Sequence, residues 1–266
     1  MVEPFKHETL RQLTCFREHK NLIAGITTRQ GGYSQKPFDS LNMGLHVPDR
    51  EEIVLENRKE LADEIGIPLE RWVMGEQVHD KKVNVVTEED LGKGVFSHTS
   101  ALAGVDGLIT NQPDILLAAF YADCVPLFFC DPLEGWIGVA HAGWKGTVKG
   151  MAAAMINELI GQGCSVENIE MIIGPCIGST HYEVDERVKD GIPQSHHSET
   201  IKELGNGKYL LDLKRLNERV ALEAGVHSSH IFTSGYCTYE EEALFYSHRR
   251  DQGKTGRMLG YIGWKS

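Results

Sequence analysis

The sequence of 266 residues contains no hydrophobic run long enough to cross a membrane. Its longest apolar run, residues 115–122, is far shorter than the roughly 20 residues that a membrane-spanning helix needs. The opening residues, MVEPFKHETLRQL, contain no continuous apolar segment of the kind found in signal peptides. We therefore expect a cytoplasmic protein without a membrane partner.

Positive charge and paired cysteines are also scarce. The chain carries 27 Lys and Arg residues against 38 Asp and Glu residues, a net charge of -11 at pH 7. A diffuse negative field repels phosphate backbones, which argues against a nucleic-acid partner. The six cysteines form no CxxC motif, and a chain of this length needs no disulfide to fold. They are expected to be reduced thiols.

Several cofactor motifs are missing as well. The absence of GxGxxG and of a P-loop argues against dinucleotide binding and P-loop ATP chemistry. Neither His-x-His nor an adjacent His-Cys pair occurs, so a multicopper oxidase is not expected. Zinc deaminases carry His-x-Glu followed by Pro-Cys-x-x-Cys. Here the order is reversed, with Pro175-Cys176 before His181-Tyr182-Glu183, and CxxC is missing.

Apolar segments of four to seven residues alternate with a few amphipathic stretches, and several neighbouring segments are joined by short turns. This pattern predicts an α+β (mixed α/β) fold, with mixed β-sheets flanked by helices in one domain over residues 1–266. It also allows two similar halves. Among the predicted elements are a helix over 146–160 and a strand over 243–246, while residues 190–206 are predicted to be an exposed loop.

Polar residues that interrupt or end apolar strands mark candidate functional positions, since an unpaired buried polar group costs about 1–3 kcal/mol. His79, Cys124 and His141 each occupy such a position. Two imidazoles and one thiolate suit tetrahedral zinc, and three protein ligands leave the fourth position open for catalysis. If Cys130 or Cys176 supplied a fourth ligand, the metal would be structural and the protein non-catalytic.

The same residues permit two other interpretations. In the first, the cysteine and the histidines are buried structural side chains that bond to backbone carbonyls. In the second, Cys124 is the nucleophile of a hydrolase, activated by His141 or His79, and Asp123 or Asp106 orients the imidazole.

Two segments are candidates for anion recognition. Arg29 precedes the Gly31-Gly32 pair, whose amides can form an anion nest, although a plain turn with a surface arginine has the same pattern. The second segment, SHRRDQGKTGRM, contains a basic cluster in an otherwise acidic chain. Such clusters are usually solvated, but the two glycines of this one also fit a phosphate-facing loop. Its basic residues are Arg249, Arg250, Lys254 and Arg257.

An ordered set of sequence strings covers nearly the whole chain, between Gly25 and Met258. The strings are GITTRQGGYS, SLNMGLHVPD, QVH, DGLIT, ADCVPLFFCDP, GVAHAGWKGT, IGPCIG, YEVD and FYSHRRDQGKTGRM. Together they resemble the bacterial purine nucleoside phosphorylase family that was formerly labelled polyphenol oxidase or laccase domain.

This resemblance implies phosphorolysis of adenosine, inosine, guanosine and S-methyl-5′-thioadenosine, together with deamination of adenosine to inosine. Purine nucleosides and inorganic phosphate would be the partners. The motifs QVH, ADC and AHAGW imply that His79, Cys124 and His141 bind Zn²⁺, with Cu²⁺ less favoured. The departures are Asp80, where glycine is common, and Lys145, where arginine is also common.

Roles for other residues follow as hypotheses. Glu183, in YEVD, is a candidate proton carrier for deamination, with Asp123 and Asp106 as alternatives; a helix N-terminal acid explains Glu183 nearly as well. Arg29 is a candidate phosphate ligand. Asn42 and His46 are candidates for contacts with ribose hydroxyls or base edges, or else form an Asn-capped turn with a packed histidine.

Overall fold

In the computed structural model, which describes residues 2–266, the chain forms short and medium-length strands and helices around two large sheets. The strands are β1 (Lys6–His7), β2 (Gln12–Thr14), β3 (Leu22–Thr27), β4 (Trp72–Met74), β5 (Val83–Val85), β6 (Gly107–Thr110), β7 (Leu116–Tyr121), β8 (Val125–Asp131), β9 (Trp136–Ala142), β10 (Glu170–Ile173), β11 (Glu183–Asp185), β12 (Ile201–Gly205), β13 (Lys208–Leu211), β14 (Ile231–Thr233) and β15 (Met258–Trp264). The helices are α1 (Glu51–Ile65), α2 (Trp144–Val148), α3 (Met151–Gly161), α4 (Glu186–Gly191), α5 (Gln194–Thr200) and α6 (Leu213–Glu223).

The first large sheet joins the beginning and the end of the chain. Its strand order is β1-β2-β3-β15-β7-β4, and β15 pairs antiparallel with both β3 and β7. Every residue of β7 is buried. This burial explains why the strand has a continuous apolar sequence instead of alternating apolar and polar residues. The sheet places the end of β4 and the end of β7, two strands that run parallel, at the same edge.

The second large sheet brings two of the candidate ligands together. Its strand order is β14-β10-β8-β9-β6-β5, and β8 and β9 form an antiparallel pair whose residues are all buried. In this register, Val125 lies opposite Ala142 and Pro126 lies opposite His141. Cys124, which directly precedes β8, therefore lies beside the end of β9 that carries His141.

A third, three-stranded sheet, β11-β13-β12, and the helices complete the fold. Apolar side chains of α3 and α6 contribute to the same buried cluster as β8 and β9. The predicted α+β class, with mixed sheets and flanking helices in a single compact domain, is confirmed. The two large sheets do not divide the chain into consecutive halves, because β15 completes the first sheet from the far end of the chain. Within residues 2–266, no helix is long and apolar enough to cross a membrane.

Three local predictions were wrong. The helix predicted over 146–160 is two helices, because the chain breaks at Gly150, whose φ of +85° ends the regular turn before α3. Residues 243–246 form part of a turn and an irregular segment instead of a strand, and the Phe245 carbonyl accepts a hydrogen bond from the Arg250 guanidinium. Residues 190–206 include α5 and β12, because buried His196 and Thr200 give this polar segment an inward face.

Candidate metal centre

His79, Cys124 and His141 meet at one point although they lie far apart in the sequence. One donor atom from each residue lies within 4.8 Å of the other two. The two imidazole rings are 4.7 Å apart between centroids and nearly perpendicular, at 83°. His141 is buried, Cys124 is half-buried and His79 is exposed, so the group faces an accessible space from the end of the second sheet.

Asp106 organises two of these three residues. Its carboxylate accepts a hydrogen bond from His141 Nδ1 at 2.9 Å, which leaves Nε2 of that ring to face the group. The same carboxylate accepts the backbone N–H groups of Val78, His79 and Asp80, each at 3.0 Å. A carboxylate that orients a histidine in this way is a common partner of protein metal ligands.

The electrostatics of the group favour a thiolate. Burial raises the pKa of the Cys124 thiol, but the charge and hydrogen bonds of His141, and then those of His79, outweigh burial and lower this pKa below its ordinary value. Burial lowers the pKa of His141, but the Cys124 thiolate and the Asp106 carboxylate outweigh burial and raise it. The thiolate is the form of cysteine that binds metals, and a metal that binds His141 would displace the proton of its imidazole.

The donor set fits a metal with an open coordination position. Within residues 2–266, neither Cys130 nor Cys176 belongs to the group. The three candidate ligands are therefore not joined by a second cysteine as a fourth ligand. No methionine is among the described residues that line the adjoining pocket. Copper sites of the His₂Cys type usually add a weak axial methionine, whereas catalytic zinc needs only an open position.

Gly143, in the AHAGW motif, lies against two of the ligands. A Cβ at this position would lie 2.9 Å from His79 Cδ2 and 3.0 Å from Cys124 Sγ. The backbone φ of −69° is one that any residue adopts, so the requirement for glycine here is steric. Only a residue without a side chain lets the two ligands approach each other.

We expect the Gly143→Ala substitution to lower zinc affinity by at least about tenfold, because the methyl group would push His79 and Cys124 apart. Zinc titration against a chromophoric chelator measures this effect. Gly161→Ala is the matched control, because a Cβ at Gly161 meets no atom within 4 Å. Equal zinc affinities for the two variants would contradict the proposed steric role.

The ligand group lies on the wall of a pocket of about 540 Å³. One part of the lining is aromatic or imidazole and includes His46, His98 and Phe120. Another part is cationic, with Lys145, Arg249 and Arg257. A space of this size, lined both by flat rings and by positively charged side chains, suits a small anionic or ring-containing ligand.

His46 is the candidate substrate-binding residue that the structure places in this pocket. Its ring lies 5.4 Å from the His98 ring and 5.3 Å from the Phe120 ring, measured between centroids. Desolvation inside the pocket, and then the positive charge of Arg257, lower the pKa of His46 to about 3. The imidazole is therefore neutral near pH 7 and can both donate and accept a hydrogen bond.

Asn42 lies outside this lining and stabilises the loop that carries His46. It is fully buried, and its amide donates to the Gly44 carbonyl and to the Asp49 carboxylate. Its side-chain oxygen accepts the backbone N–H groups of Gly44 and Arg257. The side chain of Asn42 is thereby committed to protein contacts, as in the alternative of an Asn-capped turn.

Arg29 and Glu183 are also placed away from the ligand group. Arg29 lines a separate surface pocket, donates to the Asp39 carbonyl at 3.1 Å and lies over the Tyr246 ring. The exposed Glu183 carboxylate forms an ion pair with Lys208 at 3.2 Å and is not part of the pocket lining. Asp123 does line the pocket.

Some residues that line the pocket were not predicted from the sequence. His98 and His248 lie in polar, irregular segments with no periodicity to mark them, and Glu76 reads as an ordinary surface acid. Arg249 and Arg257 carried a signal, the basic cluster in an acidic chain, but the sequence did not indicate which members of the cluster face the pocket. Arg250 instead donates to the carbonyls of its own loop region.

Comparison with known proteins agrees with the sequence strings. The family described as "Multi-copper polyphenol oxidoreductase laccase" matches residues 23–265. A relative from Bacillus subtilis named "Purine nucleoside phosphorylase YlmD" is 46% identical over 252 residues, which cover 94% of this chain and 91% of that protein. A relative of the same name from Geobacillus stearothermophilus is 47% identical over 272 aligned positions, covering 99% and 98% of the two chains.

Solved structures show the same fold. The crystal structure of YlmD from Geobacillus stearothermophilus has a TM-score of 0.95 and 44% sequence identity, and the match covers 100% of both chains. That of the Bacillus licheniformis hypothetical protein YfiH has a TM-score of 0.96 and 41% identity, covering 99% of this chain and 100% of that one. The chain therefore belongs to the multi-copper polyphenol oxidoreductase laccase family, together with the relatives named purine nucleoside phosphorylase.

Proposed function

We propose that this protein is a zinc-dependent purine nucleoside phosphorylase that also deaminates adenosine. The observation that carries the proposal is the open His79–Cys124–His141 group on the wall of a pocket whose lining includes cationic side chains. The names of the relatives supply the substrate class, and the donor set favours zinc over copper. The proposed substrates are adenosine, inosine, guanosine and S-methyl-5′-thioadenosine.

In phosphorolysis, a phosphate oxygen attacks C1′ of the ribose while the bond to the purine breaks, giving free base and ribose 1-phosphate. We assign phosphate binding to the cations Lys145, Arg249 and Arg257, because together they can balance the charge of the dianion. The guanidinium groups offer forked donors, whereas Lys145 offers a point charge.

We assign the purine to the wall formed by His46, His98 and Phe120. Flat rings on this wall provide stacking surface for a base, and the neutral His46 can donate to or accept from a ring nitrogen of the departing purine. A donor at this place would stabilise the negative charge that develops on the leaving base.

Deamination requires water in place of phosphate. When bound, zinc would act as a Lewis acid and lower the pKa of water at its open position. The described carboxylates that line the pocket are Glu76 and Asp123, so we infer that Glu76, and not Glu183, carries the proton to the leaving ammonia. One Glu76 oxygen, Oε2, accepts the Gly104 N–H at 2.7 Å, which orients the side chain.

The proposal is tested by metal analysis and by an assay of adenosine with and without phosphate. For protein purified without added metal, we expect about one zinc per chain, as three ligands of one site imply. Inosine should form without phosphate, whereas free base should appear only with it. Absence of zinc together with lack of phosphate dependence would contradict the proposal and favour a hydrolase that uses Cys124.

The compartment and the domain organisation belong to the same proposal. All six cysteines are free thiols, which fits the reducing conditions of a cytoplasm. We propose that residues 1–266 act as one domain, since His141 lies in the second large sheet, and His79 and Cys124 lie in connections between the two large sheets.

A further inference from the structure

Asp123 lies between β7 and β8 in a conformation that few side chains accept. Its φ is +83°, in the left-handed region, where Asp and Asn are tolerated better than most residues. Only 8% of its surface is exposed, although it lines the pocket. Its backbone carbonyl accepts the Ile177 N–H at 3.1 Å, so the turn is fixed at both the main chain and the side chain.

Both carboxylate oxygens of Asp123 accept a short hydrogen bond. Oδ1 accepts from the hydroxyl of buried Thr238 at 2.7 Å, and Oδ2 accepts from the backbone N–H of Arg249 at 2.7 Å. Thr238 is itself fixed, since its backbone N–H donates to the Cys176 carbonyl at 3.0 Å. Asp123 thus connects three segments of the chain, namely its own turn, the segment of Cys176 and Ile177, and the segment from Thr238 to Arg249.

The two ends of this connection are functional groups of the pocket. The residue after Asp123 is the metal-ligand candidate Cys124. On the other side, the Arg249 guanidinium lies over the Tyr182 ring at 5.3 Å and donates to the Glu183 carbonyl at 2.9 Å. Main chain and side chain of Arg249 are therefore both held in place, with the guanidinium on the pocket wall.

We propose that Asp123 is a positioning residue that sets the distance between Cys124 and Arg249, and with it the place where inorganic phosphate binds beside the metal group. This inference rests on the proposed phosphorolysis and deepens it. In this role Asp123 acts through its contacts with Thr238 and Arg249 and not as the proton carrier. The positioning role needs a side chain that accepts a hydrogen bond from the Arg249 N–H and forms one with the Thr238 hydroxyl. It does not need a group that gains or loses a proton.

Asparagine can meet this requirement. Its oxygen can accept from the Arg249 N–H, its amide can donate to the Thr238 hydroxyl, and it tolerates a positive φ. A proton carrier, in contrast, could not be replaced by an amide. The Asp123→Asn variant therefore separates the two roles, and Asp123→Ala removes both.

The experiment measures inosine phosphorolysis at varied phosphate and varied inosine in zinc-loaded protein, with zinc content determined for each variant. Thr238→Val removes one donor to Asp123 without replacing a residue of the pocket lining, and Thr238→Ser retains this donor. We expect Thr238→Val and Asp123→Ala to raise KM for phosphate about tenfold while kcat changes less than about threefold. Thr238→Ser and Asp123→Asn should restore most of the phosphate affinity.

Other outcomes would overturn the inference. A loss of kcat of about 100-fold or more in Asp123→Asn, with KM for phosphate unchanged, would identify Asp123 as a catalytic acid or base. Equal increases in KM for inosine and for phosphate would indicate a general structural defect.

Calorimetric titration with inorganic phosphate separates failure of the inference from failure of the proposed function. If the wild type lacks phosphorolysis but Thr238→Val still weakens phosphate binding about tenfold, the proposed function is wrong and the positioning role stands. If phosphate does not bind to the zinc-loaded wild type, the positioning role is overturned.

Discussion

Replacing Cys124 with alanine should lower zinc affinity by more than about 100-fold and abolish both phosphorolysis and deamination, because the thiolate is the only charged donor of the group. His79 and His141 alone would offer two neutral nitrogens to the cation. Zinc per chain after dialysis, together with the adenosine assay at two phosphate concentrations, measures the effect. Cys164→Ala is the matched control, since Cys164 is buried in the apolar cluster beside α3 and is not among the residues that line the pocket.

Two contrary outcomes distinguish the alternatives for Cys124. A Cys124→Ala variant that keeps one zinc per chain but loses activity would assign Cys124 to nucleophilic catalysis, the chemistry of a cysteine–histidine hydrolase. A variant that keeps both zinc and activity would show that the His79–Cys124–His141 group is not the functional centre.

Replacing Asp106 with asparagine should lower zinc affinity about 10- to 100-fold, the range usual for partners that orient metal ligands. The amide cannot accept at every position where the carboxylate does. In one orientation the amide leaves His141 Nδ1 and the His79 N–H without an acceptor, and in the other it leaves the Val78 and Asp80 N–H groups without one. Each buried donor left unpaired costs about 1–3 kcal/mol, so the free energy of unfolding should fall as well.

Zinc titration and urea unfolding of the zinc-free protein measure the two effects of Asp106→Asn separately. Asp190→Asn serves as the control, since Asp190 is an exposed residue whose ion pair with Lys189 lies at the surface. An Asp106→Asn variant with the zinc affinity of the wild type would refute the orienting role of this carboxylate.

The local sequence contained much of the information on the strands and the candidate metal ligands. Continuous apolar runs such as 116–121 and 125–130 are typical of strands, and the structure has buried strands at these positions. Polar residues at the ends of such runs are costly to bury unless they have a partner or a ligand. This cost is why the sequence pattern indicates His79, Cys124 and His141 as candidate functional residues. The ordered strings then identified the family, and the comparisons confirm it.

The contacts and the pocket that each side chain faces could not be predicted from the local sequence. Asn42 lies in the same string as the pocket residue His46, and Arg29 lies in the string before it. Arg29 nevertheless lines a separate surface pocket, and Asn42 is buried in its own loop. A motif reports which residues occur together along the chain. It does not report which hydrogen bonds compete for each side chain once distant segments meet.

The sequence alone determined the class of fold, the family and the three residues with metal-binding chemistry, because these depend on hydrophobic pattern and residue type. Only the tertiary structure decided that Asp106 holds His141, that Asp123 holds Arg249, and that Glu183 faces Lys208 instead of the pocket. Each of these contacts joins segments that are at least 25 residues apart. Their geometry depends on strand pairing and on the competition of many donors for few acceptors, which local sequence does not encode.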